Sequence, residues 1–219
     1  MPIRTTSWPA LAGIIGPIAF VITFTILGFV RNGYSPKREH ISDLGATGTD
    51  LAILQDINFI ITGLLILVFA IGMFRLSEFG KGAKTGSGFV AIIGLGFVAS
   101  GIFSADPSDL QESTSAGGLH DLFGIVTFLS AFIAMFVMSR SLPRDKYWRA
   151  LRMPSLVWGI VTFALLVLLI APDPVDNTSD LVSWTGVIQR AFVGVFLLWI
   201  VVMALALFKR ADTESEILP

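Results

Sequence analysis

The chain holds two histidines and no cysteine, so proton transfer near neutral pH has only His40 and His120 to draw on. Disulfides, thiolate metal sites and palmitoylation are excluded. His120 stands in Leu119-His120-Asp121, a triplet that rhymes with Leu54-Gln55-Asp56 and Ile188-Gln189-Arg190. Each triplet leads into an apolar run bearing an aromatic residue: Phe59, Phe123 or Phe192. Polar groups at membrane depth are costly, so they face a bundle interior and mark a site or an internal pair.

His120 admits three roles: a hydrogen-bonded structural residue, a general base or proton relay, and a metal ligand. Three-histidine zinc cannot be assembled, whereas a mixed site from His120, Asp106, Asp43 and Asp121 can, and its carboxylates suit magnesium or calcium equally. Beyond that divalent-metal option no cofactor is firmly implied. Two pairs of haem-ligating histidines cannot be found, which disfavours a b-type electron carrier. Ser42-Asp43 reads first as a cap. A nucleophilic Ser42 would need an adjacent base, and only His40 or His120 could supply it. Arg190 reads as structural, paired with Asp56, Asp106 or Asp121 to hold one end closed. Phosphate loops and dinucleotide fingerprints are absent.

The elements that must position these groups are apolar. Hydrophobic residues make up 54% of the sequence and charged ones 14%, with a mean hydropathy of +0.79. Six stretches approach the ~20 residues that a helix needs to cross ~30 Å of hydrocarbon: 8–30, 51–74, 86–104, 119–139, 153–171 and 187–208. They are continuously apolar, unlike the alternating strands of a membrane barrel. The expected fold is all-α, a polytopic bundle of six transmembrane helices in a single domain over 1–219. The first run is too long for a signal-peptide core and lacks a small-residue cleavage site, so it reads as a retained anchor.

Basic residues sort to one side. Arg75, Lys81, Lys84, Arg140, Arg144, Lys146, Arg149, Arg152, Lys209 and Arg210 all fall on the side of Arg4. Only Arg31, Lys37 and Arg38, with Arg190 at the start of the sixth run, fall on the other side, where two connections are acidic, with Asp106, Asp109 and Glu112 in one and Asp173, Asp176 and Asp180 in the other. Both termini are therefore expected in the cytoplasm, and the net charge of -1 conceals the asymmetry. The basic loops suit anionic lipid rather than nucleic acid.

Within the runs, Gly13, Gly16 and Pro17 predict close packing or a kink in the first helix. The first outer connection carries Asn-Gly and Ser-Pro turn signals and a capped turn at Ser42-Asp43, and Asp50 is placed to cap the second helix. Gly96, Ser100 and Ser104 form a small-xxx-small face on the third. His120, Gly124 and Thr127 share one face of the fourth. The fifth is a plain apolar span, followed by an Asn177-Thr178-Ser179 sequon that matters only in a glycosylating host. The three triplets, with the likeness of 105–109 to 172–176, suggest three similarly oriented helical hairpins in which Asp56, Asp121 and Arg190 are equivalent.

Ser35-Pro36 followed by Ile41-Ser42-Asp43-Leu44-Gly45-Ala46, Phe103-Ser104-Ala105-Asp106-Pro107, and the His120 and Arg190 helix starts together resemble a six-helix prokaryotic membrane family. That family is catalogued only as a domain of unknown function, number nine-nine-eight. The resemblance covers nearly the whole chain and implies the topology and the outer polar layer, but no activity. Members typically carry a His-rich start to helix four, and this chain has His120-Asp121 alone.

The leading expectation is a multi-pass protein of a prokaryotic plasma membrane. Its outer-leaflet pocket, drawn from Asp43, Asp56, Asp106, His120, Asp121 and Arg190, would bind a lipid headgroup or small polar ligand. The alternatives are a membrane-embedded hydrolase or transferase working through His120 and Asp106, with Asp43 and Ser42 as further candidates, and a scaffold whose polar layer is only an ion-pair lock. Membrane lipids are the expected partners.

Overall fold

A computed structural model describes residues 7–76, 78–107, 110, 112–171 and 182–217. Six helices long and apolar enough to cross a membrane account for most of them, and the protein is a multi-pass helical membrane bundle. They are α1 (Ser7–Val30), α2 (Ala52–Phe74), α3 (Lys81–Ile102), α4 (Ser115–Ser141), α5 (Lys146–Ile170) and α6 (Thr185–Ile217). Each packs on its chain neighbours, and α6 closes the bundle against α1. One end, here the histidine end, holds the 31–51 connection and the starts of α2, α4 and α6. The opposite, basic end holds the starts of α3 and α5.

Three helices, α3, α4 and α5, begin a turn or more before their apolar runs. α3 takes in Lys81 and Lys84, and α5 takes in Lys146, Arg149 and Arg152. Long basic side chains can lie along a helix while their heads reach the interface. Arg152 shows what this achieves: its guanidinium donates to the Ser139 and Arg140 carbonyls (3.1 and 2.5 Å) at the end of α4. The last carbonyls of a helix lack partners within it. Asp50 is not the cap of α2. The N-cap is Leu51, with no side-chain hydrogen bond.

Phenylalanines fill the centre of the bundle. Phe20, Phe59 and Phe97 meet with ring centroids 5.1–5.6 Å apart, and Phe196, Phe192 and Phe128 extend the cluster. Phe59 and Phe192 thus belong to one core, whereas Phe123 stacks on Phe103 instead. Close helix approach depends on glycine, which has no Cβ to separate backbones. A Cβ on Gly63 of α2 would stand 2.5 Å from the Gly94 carbonyl oxygen of α3. Gly96 faces α4, where Thr127 and the Phe123 carbonyl occupy the space beside it. Of its expected stripe partners, Ser100 offers its carbonyl to His120, and Ser104 lies beyond the helix and reaches Asp56.

The sequon, Asp109 and the 172–176 half of the proposed repeat lie outside the described residues. Within the triplets the middle residue is buried in every case, with Gln55, His120 and Gln189 at 0%, 7% and 8% exposure. The third residues, Asp56, Asp121 and Arg190, have different surroundings.

Candidate functional site at the histidine end

The connection after α1 is folded upon itself. Tyr34 Oη donates to the His40 carbonyl (2.7 Å), and Asp43 Oδ2 accepts from the His40 amide (2.7 Å). The 3₁₀ helix over Ser42–Gly45 has Ile41 at its N-cap with no side-chain cap hydrogen bond, so Ser42-Asp43 is not the expected cap; Asp43, inside that helix, reaches back to the His40 amide instead. Burial pushes the Asp43 carboxyl above its ordinary value, against the pull of the His40 amide and the charge of His40. Burial also pushes the Tyr34 hydroxyl up to about 12, although Arg190 opposes the rise. Tyr34 therefore remains a neutral donor.

This folded connection is fastened to the start of α6. Gln189 Oε1 accepts from the Ile41 amide (2.6 Å), and Thr185 Oγ1 donates to the Arg38 carbonyl (2.8 Å). Arg190 donates to the carbonyls of Pro36 (2.9 Å), Glu39 (2.8 Å) and Gly186 (2.9 Å), and to Tyr34 Oη. The expected pairing of Arg190 with Asp56, Asp106 or Asp121 is not what forms. Among the described residues no carboxylate lies within ion-pair distance of it. Two loop carbonyls and one from α6 surround its Nη1 instead, and Tyr34 Oη takes Nη2.

His120 is oriented by α3. Its Nδ1 lies 3.0 Å from the Ser100 carbonyl oxygen and 2.8 Å from that of Phe103. Carbonyl oxygens only accept, so Nδ1 carries the hydrogen. Nε2 is then the atom left to accept a proton or a hydrogen bond. The ring stands edge-on to Phe59 at 6.0 Å.

The carboxylates are spread out. Asp56 accepts from Ser104 Oγ (2.8 Å), joining α2 to the end of α3. Asp106 accepts from the Thr114 amide (2.7 Å), Thr114 Oγ1 (2.6 Å) and Ser113 Oγ (3.1 Å). Thr114 in turn caps α4 by accepting from the Gly117 amide (3.0 Å). Asp121 is exposed. Among the described residues no group of three or more His, Asp or Glu is placed to hold a metal ion, so His120, Asp106, Asp43 and Asp121 do not gather as the mixed-ligand option required.

A cavity of about 580 Å³ opens beneath the loop, chiefly between α4, α5 and α6. Its polar wall is His40, Ser42, Ser100, His120, Asp121, Thr127 and Gln189. The remainder is Phe20, Phe59, Phe97 and Phe128 with Ile41, Gly124, Val193 and aliphatic residues of α4 and α5. Ile125 and Ile170 belong to this wall and are also 58% and 71% exposed on the bundle surface. Among the described residues, the cavity thus reaches the lipid-facing side between α4 and α5. Of the residues singled out by sequence, Ser42, His120 and Asp121 are on the wall, as is the face of His120, Gly124 and Thr127. Asp43, Asp56, Asp106 and Arg190 are not. His40 was weighed only as a base for Ser42, to which neither imidazole is hydrogen-bonded. It lines the cavity, and its Nε2 is buried with no hydrogen-bond partner.

A family model described as "Protein of unknown function (DUF998)" matches residues 14–206. The chain belongs to the DUF998 family. Nothing among curated proteins or solved structures matches it. In this DUF998 protein the matched stretch takes in every residue of the cavity wall.

Asp106 gives a first test of the local structure. Its carboxyl is held below the ordinary value of 3.8, first by the Thr114 hydroxyl, with the Thr114 amide and Ser113 adding to the pull. A carboxyl whose folded pKa is depressed stabilises the fold above its ordinary value, and that contribution is lost as pH falls through the folded pKa. Protection against hydrogen exchange at 114–118, taken relative to the intrinsic rate at each pH, should therefore fall as pH drops below about 4. In Asp106→Ala the protection should already be low near neutral pH, with no further acid-linked step.

Proposed function

We propose that this DUF998 protein holds a single-chain amphiphile in the cavity at its histidine end, with the polar head at His40 and His120. The observation that carries this reading is a mainly apolar cavity, bordered by residues exposed on the bundle surface, whose polar wall includes both imidazole side chains. At about 30 Å³ per water-sized group, 580 Å³ holds on the order of 20 heavy atoms. One chain and its head fit, and two chains do not.

The wall also constrains the head. Among the described residues it contains no Lys or Arg, and it presents the Asp121 carboxylate and, by the tautomer argument, His120 Nε2 as acceptors. A hydroxylated or amine head that donates hydrogen bonds is favoured over a carboxylate or phosphate. With the basic loops in the cytoplasm, the cavity belongs to the outer leaflet of a prokaryotic plasma membrane.

Gly124 provides the test, since a Cβ there meets nothing within 4 Å and the residue lines the cavity. Gly124→Phe should fill the space without disturbing the bundle. Lipid mass spectrometry of purified wild-type protein should find a retained single-chain amphiphile, reduced at least about tenfold in the variant, equivalent to ~1.4 kcal/mol. Identical lipid profiles would refute the reading. A second reading, hydrolysis, is favoured by Ser42, His40 and His120 sharing one wall with the His120 tautomer fixed. Cleaved rather than intact ligand, lost in His120→Ala, would select it.

A further inference from the structure

A second groove lies on the basic end, remote from the cavity, and is lined by Phe74, Lys81, Lys84, Thr85, Gly88, Phe89 and Ile92. We infer that it is a binding site for one anionic phospholipid, with the phosphate held at Lys81 and Lys84 and one acyl chain lying over Gly88 towards Ile92. This proposal is independent of any ligand at the histidine end.

Charge and shape agree on that occupant. Lys81 and Lys84 stand in the first turn of α3, whose N-cap, Gly80, supplies no side-chain acceptor to the amides of that turn. The positive end of the helix dipole and two ammonium groups thus face the same place. Lys84 Nζ is 5.6 Å from the Phe74 ring centroid, a cation–π contact that keeps the ammonium at the groove. Below the lysines the lining is apolar except for Thr85, whose hydroxyl is already committed to the Lys81 carbonyl (3.0 Å).

The floor is open because Gly88 has no side chain, and a Cβ there meets nothing within 4 Å. Phe74 and Ile92 are exposed on the bundle surface at 51% and 37%. At ~1.5 Å per residue, Lys81 to Ile92 spans roughly 16 Å along α3. That is about half of a ~30 Å hydrocarbon layer, the depth of one leaflet. A headgroup at Lys81 and a chain running to Ile92 therefore lie at the depths where a leaflet places them.

Native mass spectrometry of the intact protein, delipidated and offered phosphatidylglycerol or phosphatidylcholine at equal amounts, tests the site. Wild-type protein should retain one phosphatidylglycerol about tenfold more than phosphatidylcholine. The Lys81→Gln/Lys84→Gln double variant should lose that preference, and Gly88→Phe should lose the retained lipid of either type. Removing equal charge at the same end but outside the groove, as Arg144→Gln/Arg149→Gln, should leave the preference intact. Equal retention of both lipids by wild type would overturn the proposal. So would a preference that survives in the double lysine variant, or one that disappears equally in the arginine control. Thermal unfolding of each variant confirms that the bundle is intact, and the lysine variants remain informative if Gly88→Phe does not fold.

Discussion

Arg190→Met is expected to release the 31–45 connection from the rest of the protein. The substitution leaves three carbonyls, those of Pro36, Glu39 and Gly186, and the Tyr34 hydroxyl without their donor. Hydrogen bonds from a charged group contribute about 1.5–3 kcal/mol each. Water at the membrane surface recovers part of that, so a net loss of roughly 3 kcal/mol is expected. Hydrogen exchange should accelerate across 31–45 and remain slow in the middle of α2 and α3. Arg190→Lys should recover part of the loss, because the three carbonyls converge on one nitrogen, Nη1, and only the Tyr34 contact needs the second arm of the guanidinium. Neutralising Asp56 and Asp106 together with Arg190 should not rescue the variant, as it would if Arg190 were locked to carboxylates. Wild-type exchange in Arg190→Met would show that the fork contributes nothing to the docking.

Gly63→Ala should be more damaging despite adding a single methyl group. Its Cβ would fall 2.5 Å from the Gly94 carbonyl oxygen and 2.7 Å from the Val98 nitrogen. Both are backbone atoms, so no rotamer change relieves the clash and α2 and α3 must separate along their contact. Overpacking of a tight core costs about 1–3 kcal/mol, and rigid backbone on both sides places this case at or above the upper end. The expected readout is a sharp fall in folded yield and in the unfolding midpoint. Gly124→Ala adds the same group to open space and should match wild type. Similar behaviour of the two variants would mean that the crossing is looser than its geometry indicates.

The bundle was legible because continuous apolar runs of bilayer length admit little else. Its helix starts were less so. Hydropathy registers only the part in hydrocarbon, while Lys81 and Lys146 continue the helical backbone into the interface. The face of His120, Gly124 and Thr127 could be read because it depends on helical spacing alone, and all three line the cavity. The partners of Arg190 could not. They are main-chain carbonyls, present at every residue, and only the fold of the loop selects Pro36 and Glu39. His40 was underrated for the same reason: no period governs a connection that turns back under itself. Asp106 looked like a site carboxylate, yet it organises Thr114 across a connection whose length gives no hint of that closure.

The closure of α6 against α1 has a consequence for biogenesis. Chains emerge from the N-terminus onwards, so the 31–45 connection is exposed to the membrane surface while five further helices have still to insert. Its anchors, Thr185, Gln189 and Arg190, arrive with the last of them. Gln189 and Val193 of that helix also complete the cavity wall. A truncated chain of five helices would lack both the fastening and that part of the wall. Occupancy of the histidine end would then report completed assembly, and a quality-control protease would find its most accessible substrate in chains stalled before α6.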